Sequence, residues 1–487
     1  MYPIHLGAPK DFAIARDLLA RADFNEPAIA ARLGVPLLTQ QTIDRSAAAL
    51  EHPANAPETL TRIFILGGLV GDQFVKQHIS PAEFESLSRL GLLENRDASI
   101  YSPVCLCPVA GVQTVSDRWR TPDGKPLEGL GDIVYPAVVP NTRLFLDLLP
   151  RSRCESLLDL CSGTGVAALI ASAQCADRAH AYDIAPRSTH FAEFAKRLNG
   201  LDNLTTGTGD LYEPAGTTTF DRIVAHPPYV PALESKWIFY SGGDDGEHVT
   251  RRIVAQLPRY LRPGGTLYCL AMASDRKDNP LEQRVREWLG TEHGEFDIAV
   301  VVRRTLEPHE FAFDSLVRSE DAGQARRWKE LFETRGIVAL SYAMIMIQRK
   351  AAGREPFTLR RQTGAKTGRA EHEWLLNWET QAATNPETVF DMRLRAEKHC
   401  ELRTLHSLEE GDWEPVGYML AIGEPFRMEM KIDPWIAYLL TRCDGTKTAA
   451  EIFAALKHEE VIHADTALPD FVSVIVTLIS GGFLKAG

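Results

Sequence analysis

The sequence predicts an α/β protein in which a doubly wound, mostly parallel sheet occupies about residues 126–350, with a mainly helical segment before it and a small helical one after it. Three observations predict this. From about residue 150, short apolar runs alternate with glycine turns and helical stretches, as in a parallel sheet with helices on both faces. One of those turns, Ser162-Gly163-Thr164-Gly165, sits between an apolar run and a helix. The charge balance then changes abruptly: residues 349–369 hold seven Lys/Arg and one acid, Glu355, whereas 370–487 hold 20 acids against 10 Lys/Arg. With 487 residues and 45% hydrophobic content the chain can bury several cores. We expect domains over 1–125, 126–350 and 370–487, with 349–369 as a linker.

In the first segment, Ser80-Pro81-Ala82-Glu83 is a capping box with proline at the first helical position. The helix it opens carries Phe84, Leu87 and Leu90 and stops at Gly91. Asp23 to Val35 reads as an amphipathic helix or as part of a helix-turn-helix, and Ile100 to Val109 as a strand or hairpin. Helices followed by a short hairpin fit either a winged-helix-like module or a helical cap. The sheet strands are expected at 157–160, 179–184, 220–225, 265–271, 296–302 and 338–347. Near the end, Thr448-Ala449-Ala450-Glu451 is a second capping box, whose helix places Ile452, Phe453 and Leu456 on one face. A further apolar helix, about Leu468 to Ser480, completes a helical module.

The net charge of -12 argues against a protein held on nucleic acid mainly by a basic surface. The eight cysteines form no CxxC pair, and Cys105 and Cys107 read as packing thiols on an apolar run. Met1 to Ala20 is too polar for a signal peptide, and no apolar run approaches membrane-spanning length. The expectation is a soluble cytoplasmic protein with no metal site. Its oligomeric state is not legible.

The chemistry concentrates after the expected strands. Asp159-Leu160-Cys161-Ser162-Gly163-Thr164-Gly165 leads into a helix, so its glycines can bring backbone close to a ligand at a helix N-terminus. The run from Gly163 to Ala168 also fits a dinucleotide fingerprint. Asp159, four residues before the first glycine, suits instead a cationic ligand such as a sulfonium amino acid. Asp183-Ile184 ends the second strand, eighteen residues after Gly165, where a carboxylate can accept from ribose hydroxyls in either cofactor class. Asp210-Leu211 follows the third strand-like stretch, where an adenine would lie. His226-Pro227-Pro228-Tyr229 follows the strand 220–225, at the sheet end where open α/β folds place substrate. Two prolines stiffen this loop and expose carbonyls, and the tyrosine offers a flat face.

Together, Asp159 to Gly165, Asp183 and the Pro-Pro-Tyr loop resemble class I methyltransferases that act on planar nitrogens, whose loop is usually Asn-Pro-Pro-Tyr or Asp-Pro-Pro-Tyr. Ser241-Gly242-Gly243-Asp244-Asp245-Gly246, Arg251-Arg252-Ile253 and Leu261-Arg262-Pro263-Gly264-Gly265 are similar to the release-factor glutamine N5-methyltransferase family. Val134-Tyr135-Pro136 through Thr142 also resembles the segment preceding the cofactor strand in that family. The resemblance covers about 130–350. It implies a seven-stranded Rossmann-like sheet, S-adenosyl-L-methionine as cofactor held by the residues above with Tyr135 and Thr142, and a catalytic His226-Pro227-Pro228-Tyr229 loop. The family's Asn accepts a hydrogen bond from the target nitrogen together with a proline carbonyl; here it is His226. A neutral imidazole can accept one hydrogen bond, and it can act as a base near its usual pKa. The last segment, from Asp444-Gly445-Thr446 to Gly482-Phe483-Leu484, resembles small modules that bind peptide leaders.

The leading expectation is therefore N-methylation of an amide or amine of a protein or peptide. Alternatives are an RNA or DNA base methyltransferase, which the basic 349–369 segment favours, a small-molecule or natural-product methyltransferase, and a non-catalytic ligand-sensing regulator. A fragment of about 126–350 is expected to bind the donor while losing its natural acceptor.

Overall fold

Leu157, Leu158 and Leu160 are buried, as are Ile223, Val224 and Ala225. Such unbroken apolar runs suit interior parallel strands, which are covered on both faces. They belong to a sheet whose strands are β1 (Cys154–Leu160), β2 (Ala176–Asp183), β3 (Leu204–Thr208), β4 (Phe220–Ala225) and β5 (Leu261–Arg276). The five are parallel and hydrogen-bonded in the order β3-β2-β1-β4-β5. The order reverses between β1 and β4, so a crevice opens outside the carboxyl ends of these strands. The computed structural model describes residues 2–121, 131–232, 240–318, 322–351 and 353–487.

The chain resolves into two compact units, Met1–Ala273 and Ser274–Gly487, with the boundary inside β5. The division into 1–125, 126–350 and 370–487 is a different partition, and we keep it as a proposal about roles. In the first unit the helices that frame the crevice are α1 (Pro140–Leu148), α2 (Val166–Gln174), α3 (Pro186–Asn199) and α4 (His248–Tyr260). Gly165 turns the chain into α2 with φ +72°, and a Cβ there would stand 2.9 Å from the Cβ of Ala192 on α3. Only glycine meets both conditions.

Before the sheet, the elements run helix (Ala56–Leu60), strand (Val70–Gly71), helix (Asp72–His78), helix (Pro81–Arg89) and strands (Glu94–Arg96 and Ser99–Tyr101). The strand Ser99–Tyr101 pairs antiparallel with both of the others. This is the element order of a winged helix. The Ser80 capping box forms as expected. One face of the third helix of the module packs inward: Ser86 and Leu87 are buried, and Arg89 donates to Asp11 of the helix Pro9–Arg21 at 2.6 Å. Glu26–Leu33 is a short helix capped by Asn25 and closed by Gly34 in the left-handed region. Val104–Val109 and Val112–Asp117 form a hairpin through Ala110 and Gly111, both at positive φ. Cys105 and Cys107 lie buried in it, and burial pushes both thiols up.

This first segment is bolted to the sheet within the same unit. Asp117 receives two hydrogen bonds from Arg187 of α3 and one from the backbone of Val134, and the two side chains are only 5% and 9% exposed. Arg143 of α1 bonds Glu26 and the carbonyl of Leu38.

In the second unit, β6 (Phe296–Leu306) pairs antiparallel with β7 (Ile337–Arg349), as the last two expected strands. Two readings need correction. The expected linker 349–369 contains β8 (Thr358–Thr363), a strand parallel to β6. Its basic residues are internal partners: Arg354 pairs with buried Asp297, Arg360 with Asp275 and Glu282, and Arg361 with Glu379. The charge run that favoured a nucleic acid partner is therefore consumed by carboxylates of its own unit. The segment 370–487, read as helical, is mixed. Its helices Ala449–His458 and Leu468–Ser480 form as expected, the first with its Thr448 capping box. Strands at Arg393–Ala396, Glu401–Glu409, Asp412–Ile422, Phe426–Ile432, Asp444–Thr448 and Leu484–Ala486 accompany them. The strand Glu401–Glu409 is mostly solvent-exposed, so it carries no apolar alternation to betray it. The cue that could have found it is Glu410-Gly411, both at positive φ, a two-residue hairpin turn.

Candidate active site

The carboxyl ends of β1 to β4 open into a cavity of about 510 Å³ within the first unit. Asp159, Cys161, Ser162, Gly163 and Thr164 reach it from β1, Asp183 and Ile184 from β2, and Asp210 and Leu211 from beyond β3. His226, Pro227, Pro228 and Tyr229 line it from β4, with Tyr135 and Thr142 from the approach to α1. Every residue expected at the site lines this cavity except Gly165, which is spent on the contact with Ala192.

The turn after β1 is built to expose backbone and small side chains. Cys161 and Gly163 have φ of +56° and +53°, and Gly165 N–H closes on the Ser162 carbonyl at 2.7 Å. The buried Ser162 Oγ lacks a hydrogen-bond partner among the described residues. Asp183 accepts from Gly163 N–H at 2.8 Å and from Ala185 N–H at 2.9 Å, one on each oxygen. Ser188 and the backbone of Ile184 donate to the same carboxylate, which faces the cavity where ribose hydroxyls could reach it. Burial raises the pKa of Asp183 and pushes that of Asp159 well above the carboxylate range. Asp159 also accepts from Ala168 N–H at 3.2 Å. A cationic ligand beside these groups would favour their charged forms and offset the cost of burying them. An orphaned hydroxyl and two carboxylates around the turn thus fit a ligand that is at once cation and nucleoside.

At the end of β4 the prolines follow directly. The His226 ring stacks on Phe145 with centroids 5.1 Å apart and lies 5.5 Å from the Tyr229 ring. Its Nε2 is buried with no hydrogen-bond partner among the described residues. Burial lowers its pKa to about 4, so the imidazole is neutral at physiological pH. The Tyr229 hydroxyl accepts from Asn141 Nδ2 at 2.8 Å. The segment after Tyr240 braces the loop: Gly242 N–H bonds the Val230 carbonyl, and a Cβ on Gly246 would meet the Tyr229 carbonyl at 2.5 Å. Arg251 anchors that brace through buried Asp245 and Glu247. Phe145 and Asn141 were not expected from sequence. Their place beside Thr142 on α1 is the signal that could have found them.

These positions make one prediction. Asp183→Ala should weaken donor binding by about 1.5–3 kcal/mol, the range for hydrogen bonds to a charged group. Tyr229→Ala should leave donor affinity unchanged and lower turnover. Calorimetry of both variants, with steady-state rates, checks the split; equal effects on the donor would remove it.

Residues 137–298 match the family model of the methyltransferase small domain. Over 167 residues the chain is 32% identical to a ribosomal protein uL3 glutamine methyltransferase of Bradyrhizobium diazoefficiens, covering 31% of this chain and 52% of the relative. It is 30% identical to the same-named protein of Bordetella pertussis, covering 31% and 55%. It is 32% identical to a release factor glutamine methyltransferase of Geobacter sulfurreducens, covering 28% and 55%. The chain thus spans about half the length of these curated relatives. A solved structure of a ribosomal protein L11 methylase from Lactobacillus delbrueckii subsp. bulgaricus matches with TM-score 0.24 and 18% identity, covering 41% of this chain and 71% of that one. The fold, the turn after β1 and these relatives together make residues 137–298 a class I methyltransferase domain, with S-adenosyl-L-methionine as its cofactor and protein glutamine methyltransferases among its relatives.

Proposed function

We propose that this protein transfers a methyl group from S-adenosylmethionine to a planar amide or amine nitrogen of a protein or peptide. The observation that carries this is the His226-Pro227-Pro228-Tyr229 loop at the end of β4, across one cavity from the turn after β1. The cofactor supplies an electrophilic methyl on a sulfonium. Asp183 holds the ribose, and Asp159 lies on the cationic side. The proline carbonyls and the neutral His226 accept hydrogen bonds from the target nitrogen and aim its lone pair in line with the methyl. The S–CH3 bond breaks as the N–CH3 bond forms, positive charge passes from sulfur to nitrogen, the neutral thioether S-adenosylhomocysteine leaves, and the nitrogen sheds its proton to water, so no strong acid is needed. The curated relatives are named for a ribosomal protein and a release factor, which supports a protein acceptor here. No helix among the described residues is long and apolar enough to cross a membrane. An acceptor of that kind would place the reaction in the cytoplasm.

The test is direct. The protein should bind S-adenosylmethionine with micromolar Kd, about -7 to -8 kcal/mol, and should not bind NAD. Incubated with labelled donor and fractionated cell extract, it should label protein. Label confined to RNA or DNA would replace this reading with base methylation.

A further inference from the structure

The second unit holds a cavity of its own, of about 710 Å³. Ala370, Trp374 and Trp378 line it from one face of the helix Arg369–Thr384, and the whole strand Leu484–Ala486 lines it as well. That strand is the edge of a three-stranded sheet and pairs only with Arg393–Ala396. The register decides which of its backbone groups are spent. Gly487 and Arg393 exchange both N–H···O bonds, and Glu397 N–H donates to the Phe483 carbonyl. In an antiparallel ladder such pairs alternate with non-bonded ones, so Leu484 and Ala486 turn N–H and C=O away from the sheet.

The helix adds an apolar wall with one unmet donor. Trp378 is 7% exposed, and its Nε1–H has no hydrogen-bond partner among the described residues. A buried donor left unmade is costly, and a ligand carbonyl would meet it. At the rim, Lys366 pairs with Glu424 at 2.6 Å and Lys485 pairs with Glu397, so both cations are matched. Glu371 also lines the cavity; it accepts from Gly368 N–H and has no cationic partner among the described residues. It stands in a segment of 20 acids against 10 Lys/Arg, so the complementary ligand is a cation.

We propose that this cavity binds an extended, basic peptide segment of a partner protein, which pairs with Leu484–Ala486 as an added strand and lays apolar side chains against Trp374 and Trp378. A free strand edge is matched by extended backbone, which a small planar ligand does not offer. Side chains of a strand alternate, so the segment should carry apolar residues at every second position, with Lys or Arg between them to answer Glu371. The site lies wholly within the second unit and does not depend on the reading of the methyl-donor cavity.

The probe is a blocked, fluorescein-labelled nonapeptide, Lys-Phe-Lys-Val-Lys-Phe-Lys-Val-Lys, titrated against the full chain by fluorescence polarisation. The native protein should bind it about tenfold or more tighter than the same peptide with Glu in place of Lys. Ala486→Pro removes an N–H that the sheet does not use, and should weaken binding about fivefold or more. Trp378→Phe keeps a ring but loses the N–H, and should weaken binding about threefold or more. Two further peptides carry N-methyl groups on alternate backbone nitrogens, one on each of the two sets; one should lose binding and the other keep it. No binding by the native protein overturns the proposal, as does equal affinity for the Lys and Glu peptides. Binding that Ala486→Pro leaves unchanged also overturns it, because net charge alone would then hold the peptide. If Ala486→Pro fails to fold by circular dichroism, the two N-methylated peptides decide, and equal affinities for them overturn the added strand.

Discussion

Replacing His226 with Ala should lower turnover by up to about tenfold, the worth of one hydrogen bond to the target, while leaving donor affinity nearly intact. His226→Asn should keep activity on an amide or amine, because it restores the acceptor that the related loop carries. The pH dependence separates the possible roles. From sequence alone, the acidic limb of the rate profile belongs near the unperturbed histidine pKa of about 6.5. Burial moves it, because the ring stacked on Phe145 is titrated only at about 4. A base with that pKa removes protons poorly at neutral pH, so the structure favours a neutral hydrogen-bond acceptor. Turnover should therefore stay level from neutral pH down through the sixes, and His226→Asn should remove the lower limb. A limb near 6.5 in the native enzyme that persists in His226→Asn would take this residue out of the mechanism. Stability has its own sign. The folded-state pKa is depressed, so stability is fully present above the unfolded value of about 6.5 and is lost as pH falls toward 4. His226→Asn should lose less of its stability across that window, as urea unfolding at several pH values would show.

Asp117→Ala should cost about 3–5 kcal/mol of stability, because it leaves the guanidinium of Arg187 buried without its carboxylate. The pair is nearly sealed from solvent, and Asp117 also holds the backbone at Val134, on the way to Tyr135 and α1. Urea denaturation monitored by tryptophan fluorescence measures the loss, and a change below 1 kcal/mol would contradict it. Asp117→Asn should fall between, since it keeps an acceptor but not the charge. The same contacts bear on the fragment 126–350. It lacks Asp117 and Glu26, so Arg187 and Arg143 would both lose their partners. The fragment should be recovered unfolded, against the expectation from motifs alone.

The cavity was legible in the sequence to an unusual degree because its residues are local punctuation. Turns at strand ends need glycine or proline, and Asp159, Asp183 and His226 each stand at the end of an apolar run. Long-range partners left no such mark. Arg187 looks like any helical arginine until Asp117, 70 residues earlier, is placed beside it. Arg360 and Arg361 read as part of a basic linker because their partners, Asp275, Glu282 and Glu379, stand outside that segment. The exposed strand Glu401–Glu409 is missed for the opposite reason, since it buries too little to need a pattern.

The bracing of the cavity by Glu26 and Asp117 also has an order in time. A chain leaves the ribosome from its N-terminus, and domains generally fold as units in that order. Glu26 and Asp117 are therefore made before Asp159, Asp183 and His226, whereas Arg187, which closes the second brace, follows Asp183. A nascent chain halted beyond β5 already carries every residue that lines the cavity while the second unit is still unwritten.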